Sequence, residues 1–396
     1  MKKHRVLNGI DRLDKMDALL GKGQRLGLAA GGAAIDRQMR PAVDVLHERY
    51  RVTALYNMIY GIRGEHVYSE HVPVYTDSLT GLSVYSIFSG DAFGPSEEML
   101  RDIDVLVFDA REAGTRYYEY LACAGAVLKA CARFGRPMVV LDRLNPISGL
   151  NAEGTVCPPS MHSIVGDYGL ATRTALTLGE FCRYINAEFD IGCELSVVEV
   201  DGWTRELYYD DTDLPYVLPS PSLPSALANL LYPGMCLFEG ISTLSESRGT
   251  SKPFEMIGAP WLDHQEIVRR MNKRGLPGVQ FGAVYFEPAS SKFAGEVCRG
   301  VQTHVTDRGS FESVRTGLTL LEEIRHHQGD MLQWRDCSAG HDIPEPDSSP
   351  RFERYVDKLL ADTRFTTGEL SADQLLAAHR PSLDAYVKVK EKYHLY

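Results

Sequence analysis

In the first half of the chain, short and nearly continuous apolar runs alternate with stretches whose apolar positions recur at helical spacing. The runs at 25–30, 52–56, 104–109 and 137–141 read as strands. Leu13, Met16, Leu19 and Leu20 fit one face of an opening helix stopped by Gly21 and Gly23. Residues 118–134 read as a crossover helix ended by Gly135 and Pro137. Thr177-Leu178-Gly179-Glu180 has capping-box spacing, with Thr177 able to accept from the backbone and Glu180 able to reach back, so a helix is expected to about Phe189. Strands should follow at 195–200 and near 235–238. Strands alternating with helices predict βαβ units, hence an α/β protein with a mostly parallel sheet.

Two stretches break that rhythm. Residues 214–224 carry prolines at 215, 219, 221 and 224 and suit neither a helix interior nor a sheet, so they are expected to form an ordered wall or a loop bordering a cleft. After Arg248-Gly249-Thr250 the pattern changes to a helix near 264–274, an apolar β-run at 279–286, a helix near 311–326 and a polar tail of short helices. This change divides the chain into residues 1–252 and 253–396, and the Gly/Pro/Ser-rich stretch 338–350 reads as a surface loop.

A length of 396 residues suits two or three domains, and 44% hydrophobic with 24% charged residues is ordinary for a globular protein. No apolar run approaches the roughly 18 residues of a membrane span. The basic start, Met1-Lys2-Lys3-His4-Arg5, is followed by interspersed charges rather than an apolar segment, so neither export nor a membrane is expected. The 8 cysteines form no Cys-x-x-Cys pair and several lie in apolar runs, which points to reduced thiols and a cytoplasmic location. A formal net charge of -11 argues against sequence-independent nucleic-acid binding.

In an open parallel sheet ligands gather beyond the carboxyl ends of the strands, so the residues after each run are the candidates. Ala29-Ala30-Gly31-Gly32-Ala33-Ala34 lacks a dinucleotide fingerprint. Glu65-His66 and Glu70-His71 are spaced for neither a helix face nor one side of a strand, so a solvated loop is favoured over a metal site. Asp109, Arg111, Glu112, Arg116 and the tyrosines at 117, 118 and 120 could grip a polar, ring-shaped ligand, or could form an ion-paired helix start with the rings in the core. Asp142, Arg143 and Asn145 fall in a turn where such side chains either tie down backbone amides or touch ligand. The loop 239–250 offers Glu239, Glu246, Arg248 and several hydroxyls. No nucleophile elbow, phosphate loop or zinc-protease helix is present, and no cofactor is expected.

Taken in order, these loops resemble the bacterial exo-acting β-N-acetylmuramidases, NamZ-type glycoside hydrolases that remove N-acetylmuramic acid from peptidoglycan fragments. The matching pieces are 103–109, Asp142-Arg143 with Asn145-Pro146-Ile147, Pro219-Ser220-Pro221, Tyr232-Pro233-Gly234, 236–240, Arg248-Gly249-Thr250 with Pro253-Phe254-Glu255, and Gly300-Val301-Gln302 with 304–308. The resemblance spans almost the whole chain. It implies a Rossmann-like, doubly wound first domain carrying the active site and a smaller appended α+β domain closing the cleft. It also exposes departures. Met58-Ile59-Tyr60-Gly61 stands where the family carries Pro-Glu-His-Gly, so isoleucine replaces the expected catalytic glutamate. Ala30-Gly31-Gly32-Ala33-Ala34 replaces a polar Thr-Asn-Gln-Thr-Gly-type turn, Thr174 replaces a histidine after Arg173, and Ser222 replaces an asparagine.

The expectation is a diverged muramidase-family protein that binds a small sugar or muropeptide, with no nucleic-acid or membrane partner. Asp109, Arg111, Asp142, Arg143, Asn145, Arg173 and Arg248 are the expected binding residues. Glu112 and Glu246 are the first replacements to consider for the missing carboxylate, with Glu65 and Glu239 behind them. Without a replacement, little exo-muramidase activity is expected. A catalytically silent binding or regulatory protein is the alternative, and new chemistry on a reused scaffold is a third.

Overall fold

A computed structural model describes residues 3–66, 74–89, 92–337 and 351–396. Glu70-His71 and the expected surface loop at 338–350 lie outside them. The strands are β1 (Arg25–Ala30), β2 (Arg51–Asn57), β3 (Tyr75–Thr76), β4 (Ser83–Ser86), the pair β5 (Phe88–Ser89) and β6 (Ala92–Phe93), β7 (Val105–Asp109), β8 (Met138–Leu141), β9 (Glu153–Val156), β10 (Ala171–Arg173), β11 (Leu195–Val198), β12 (Met256–Ala259), β13 (Val279–Phe286) and β14 (Cys298–Val305). The helices are α1 (Leu13–Asp17), α2 (Ala42–Arg49), α3 (Tyr120–Arg133), α4 (Leu178–Glu188), α5 (Ala226–Met235), α6 (His264–Arg274), α7 (Ser313–Gln328), α8 (Tyr355–Leu360) and α9 (Ala372–Lys390).

The large sheet has the order β11-β8-β7-β1-β2-β4-β3, and only β3 runs antiparallel to its neighbour. Numbered along the chain, its parallel strands give the doubly wound order 3-2-1-4-5-6, and the winding reverses between β1 and β7. Both faces are covered. Leu26 and Leu28 of β1 and Val105 and Val107 of β7 pack with Met16, Val43 and Leu46 on one side. Ala29, Leu106 and Phe108 pack with Cys123 and Val127 of α3 and Phe181 and Ile185 of α4 on the other. Successive residues point to opposite faces, so a strand buried twice over reads as an unbroken apolar run. Thr177 caps α4 as expected: its hydroxyl accepts from the Glu180 amide, and the Glu180 carboxylate accepts from the Thr177 amide at 3.0 Å.

A smaller antiparallel sheet, β12-β14-β13, packs with α6 and forms the α+β part. The strand expected near 235–238 is instead the end of α5 and a 3-10 turn, Cys236–Gly240. Every residue of α5 from Ala228 to Met235 is buried, so no polar face betrays its helical period. Gly234 on α5 and Gly317 on α7 allow the helices to meet, since a Cβ on either would strike the other's backbone. The opening helix ends at Asp17; Leu13 and Met16 are buried in the core and Leu20 packs at its edge, while Leu19 is left 46% exposed. The tail holds the 19-residue α9 rather than short helices alone, capped by Ser371 and Gln374. Beyond it, the Tyr396 hydroxyl reaches Asp142 and the Val200 amide, both at 2.8 Å, tying the last residue to the carboxyl end of the large sheet. No disulfide forms among the described residues, and none of their helices is long and apolar enough to cross a membrane.

Candidate functional site

Several loops converge on a cavity of about 190 Å³ beyond the carboxyl ends of the parallel strands. Gly61, at φ +86°, turns the chain after β2 and leaves Tyr60 on the cavity wall. Glu119 is the residue that starts α3. Ser220 and Ser222 come from the proline-rich stretch, Glu239 from the turn after α5, Arg248 from the loop that follows, and Tyr355 from α8. Tyr118 donates to the Pro219 carbonyl at 2.5 Å, fixing the proline-rich wall against the sheet.

Arg248 organises the polar side of the cavity. Its guanidinium pairs with Glu239, donates to the Ser222 hydroxyl, lies 3.3 Å from Glu246 and stands 5.0 Å from the centre of the Phe254 ring. Burial works against its charge, but Glu239 and Glu246 outweigh burial and raise its pKa. Glu246 is buried behind it. Its second oxygen accepts from Lys292 at 2.9 Å, and Lys292 also donates to the Phe238 and Leu244 carbonyls. Glu119 has a different environment. No ion pair holds it among the described residues, and burial, reinforced by the negative charge of Glu239, pushes its carboxyl up to about 7.

The other expected residues lie elsewhere. Asp109 and Arg143 form a buried two-point pair, with Nε to Oδ1 at 2.5 Å and Nη2 to Oδ2 at 2.8 Å, and Arg143 also donates to the Ile35 carbonyl. Arg111 is sandwiched between Tyr209 and Tyr216, 4.0 and 4.3 Å from their ring centres. Its guanidinium makes no hydrogen bond among the described residues. Arg111 and Arg143 border a second, smaller cavity at the point where the sheet order reverses. Glu112 is 3% exposed and accepts from the Gly114 amide.

Asp142, Asn145 and Arg173 hold the framework. Asp142 accepts from Thr177 at 2.6 Å, from the Gly179 amide at 2.8 Å and from Tyr396, while burial pushes its carboxyl up to about 6. Asn145 bridges the Leu176 carbonyl and the Ile147 amide. Arg173 pairs with Glu153 and donates to the Ile147 carbonyl. Glu65 accepts from Tyr75 and from the Arg63 amide. Arg248 is therefore the expected binding residue that lines the larger cavity, with Glu246 supporting it and Glu239 beside it. Glu119 escaped the sequence reading although it is a lone carboxylate inside the run Tyr117-Tyr118-Glu119-Tyr120, immediately before an apolar helix.

Of the positions that depart from the muramidase pattern, Tyr60 and Ser222 line the cavity, whereas Ile59, Gly31, Gly32 and Thr174 are closed. Ile59 is 3% exposed and belongs to the core cluster with Tyr56 and Met58. A Cβ at Gly31 would lie 2.6 Å from the Tyr120 hydroxyl, and one at Gly32 would lie 2.6 Å from the backbone of Gly64. Thr174 is buried, and its carbonyl accepts from Tyr386 at 2.8 Å. Among the described residues no group of three or more His, Cys, Asp or Glu side chains could hold a metal ion.

Comparison with known proteins gives a consistent result. The N-terminal profile of the exo-β-N-acetylmuramidase NamZ family matches residues 26–227, and its C-terminal profile matches residues 230–396. The peptidoglycan β-N-acetylmuramidase NamZ of Bacillus subtilis strain 168 is 36% identical over 401 residues, covering 100% of this chain and 92% of the relative. A crystal structure of a DUF1343-family protein from Bacteroides fragilis NCTC 9343 superposes with a TM-score of 0.87 at 28% identity, over 99% of both chains. A second from the same organism, at TM-score 0.70 and 24% identity over 99% of both chains, shares the fold.

Proposed function

The chain belongs to the exo-β-N-acetylmuramidase NamZ family, and from that premise we propose that it binds N-acetylmuramic-acid-containing sugars in the cavity between Tyr60 and Arg248. The observation that carries this reading is the composition of that one cavity. Tyr60, Tyr118, Tyr232 and Tyr355 supply aromatic surface for sugar faces, and Arg248 supplies a cation with 34% of its side chain exposed for the lactyl carboxylate. The free thiols expected of the cysteines fit work on recycled cell-wall fragments in the cytoplasm. A catalytically silent binding protein is the second reading, and it is favoured by the apolar burial of Ile59 where the family's glutamate is expected.

Ligand-induced thermal stabilisation tests the proposal. A ligand present at one hundred times its dissociation constant adds about 2.7 kcal/mol to native stability. N-acetylmuramic acid, or its disaccharide with N-acetylglucosamine, should therefore raise the melting temperature of the native protein, and Arg248→Ala should abolish the rise. A melting temperature unchanged by millimolar amounts of both sugars would contradict it.

A further inference from the structure

We propose that Glu119 is the proton donor of a glycoside hydrolysis carried out in this cavity, a role moved from the loop after β2 to the start of α3. The inference rests on the reading that the cavity holds a muramic sugar, and it decides between the hydrolytic and silent forms of that reading.

Glu119 and Tyr60 line the same cavity, and Tyr60 is the neighbour of Ile59 in the chain. The loop that lost its carboxyl group at 59 therefore reaches, through Tyr60, the space that Glu119 borders. Glu239 lines it as well, so two carboxyl groups face the site, as glycoside hydrolysis requires. Their surroundings differ. Glu239 is tied to the guanidinium of Arg248, whereas Glu119 has no ion pair among the described residues. Two carboxyl groups in contrasting environments are the usual way a site separates its acid from its base.

The charged and titratable groups around Glu119 are Tyr60 from the loop after β2, Tyr118 beside it in the chain, Tyr120 and Cys123 of α3, Tyr232 of α5 with Cys236, Glu239 and Arg248 after it, and Tyr355 and Lys358 of α8. Burial and Glu239 favour the protonated form, Lys358 and Arg248 oppose it, and the balance near 7 leaves a proton to give at neutral pH. A helix start would by itself favour the anion, so the enclosure outweighs the dipole here. The alternatives are occupied. Glu246 is saturated by Lys292 and Arg248, and Glu112 is enclosed behind β7 away from this cavity.

In the step itself, the bond from the anomeric carbon to the glycosidic oxygen breaks as Glu119 transfers its proton to that oxygen. A water molecule forms the new bond to the anomeric carbon and gives its surplus proton to the Glu239 carboxylate. Exchange with solvent then returns both groups to their starting states, so one water is consumed for each glycoside cleaved.

The test compares two substrates and keeps binding separate from turnover. A 4-nitrophenyl glycoside of N-acetylmuramic acid has a good leaving group and needs little protonation; the natural disaccharide with N-acetylglucosamine does need it. Glu119→Gln should lose at least about 100-fold in rate on the disaccharide and far less on the nitrophenyl glycoside. A merely structural role would depress both alike. The native protein's disaccharide activity should also fall as pH rises through about 7, a readout that does not depend on the variant folding. Equal activity of Glu119→Gln and native protein on the disaccharide would overturn the proposal. Absence of turnover by the native protein, with the sugar still raising the melting temperature, would also overturn it while leaving the binding reading intact. Absence of both would remove the two together.

Discussion

Glu112 follows the end of β7 and is shut away from solvent; its carboxyl is pushed up to about 8, chiefly by burial. An acid whose folded pKa lies above its unfolded value adds stability below the unfolded value, here near 4.5, and loses it as pH climbs to the folded one. Glu112→Gln removes that dependence. Relative to the native protein, its melting temperature should improve steadily between pH 5 and pH 8, and a constant difference across that range would contradict the assignment. The same residue shows what was hidden in the sequence. Short polar residues after a strand can turn into a cleft or back toward the loops, and spacing does not reveal which. Asp142, Asn145 and Arg173 turn back and tie down backbone groups, whereas Glu119, unremarked among tyrosines, faces the cavity. The loss of the Pro-Glu-His-Gly pattern was legible in the sequence, but the closing of Gly31 by Tyr120 was not, because that contact joins residues distant along the chain.

At the scale of elements, strands and caps that depend on local pattern were readable. β1 and β7 follow from apolar runs, and the capping box at the start of α4 follows from Thr177 and Glu180. Thr177 also donates to Asp142 at 2.6 Å, so the cap links α4 to the turn after β8. Thr177→Ala should lower stability by about 1 to 2 kcal/mol, seen as a reduced urea midpoint with an unchanged slope. The melting shift produced by muramic sugars should survive that change, because Thr177 holds the framework and not the cavity. Elements defined by burial rather than period escaped the sequence reading. α5 is enclosed along most of its length and reads as a short apolar run; α9 escaped for the opposite reason, because its exposed surface is polar and Pro381 interrupts its pattern.

For the whole molecule, the alternation of strands and helices announced a parallel sheet, the family resemblance implied its doubly wound order, and the pairing of β1 with both β2 and β7 realises that order. That order places the loops after β2 and β7 on one edge of the fold, where the turn after α5 and helix α8 complete the cavity. Tyr396, bonded to Asp142 and Val200, returns the end of the chain to the same sheet. On the proposed reading this composite cavity, and not the smaller one beside Arg111, receives the muramic sugar. A crystal structure of Glu119→Gln soaked with the disaccharide of N-acetylmuramic acid and N-acetylglucosamine tests it most directly. The sugar should lie between Tyr60 and Arg248, with the glycosidic oxygen within hydrogen-bonding distance of residue 119. A sugar bound beside Arg111, or one whose glycosidic oxygen faces another carboxylate, would contradict it.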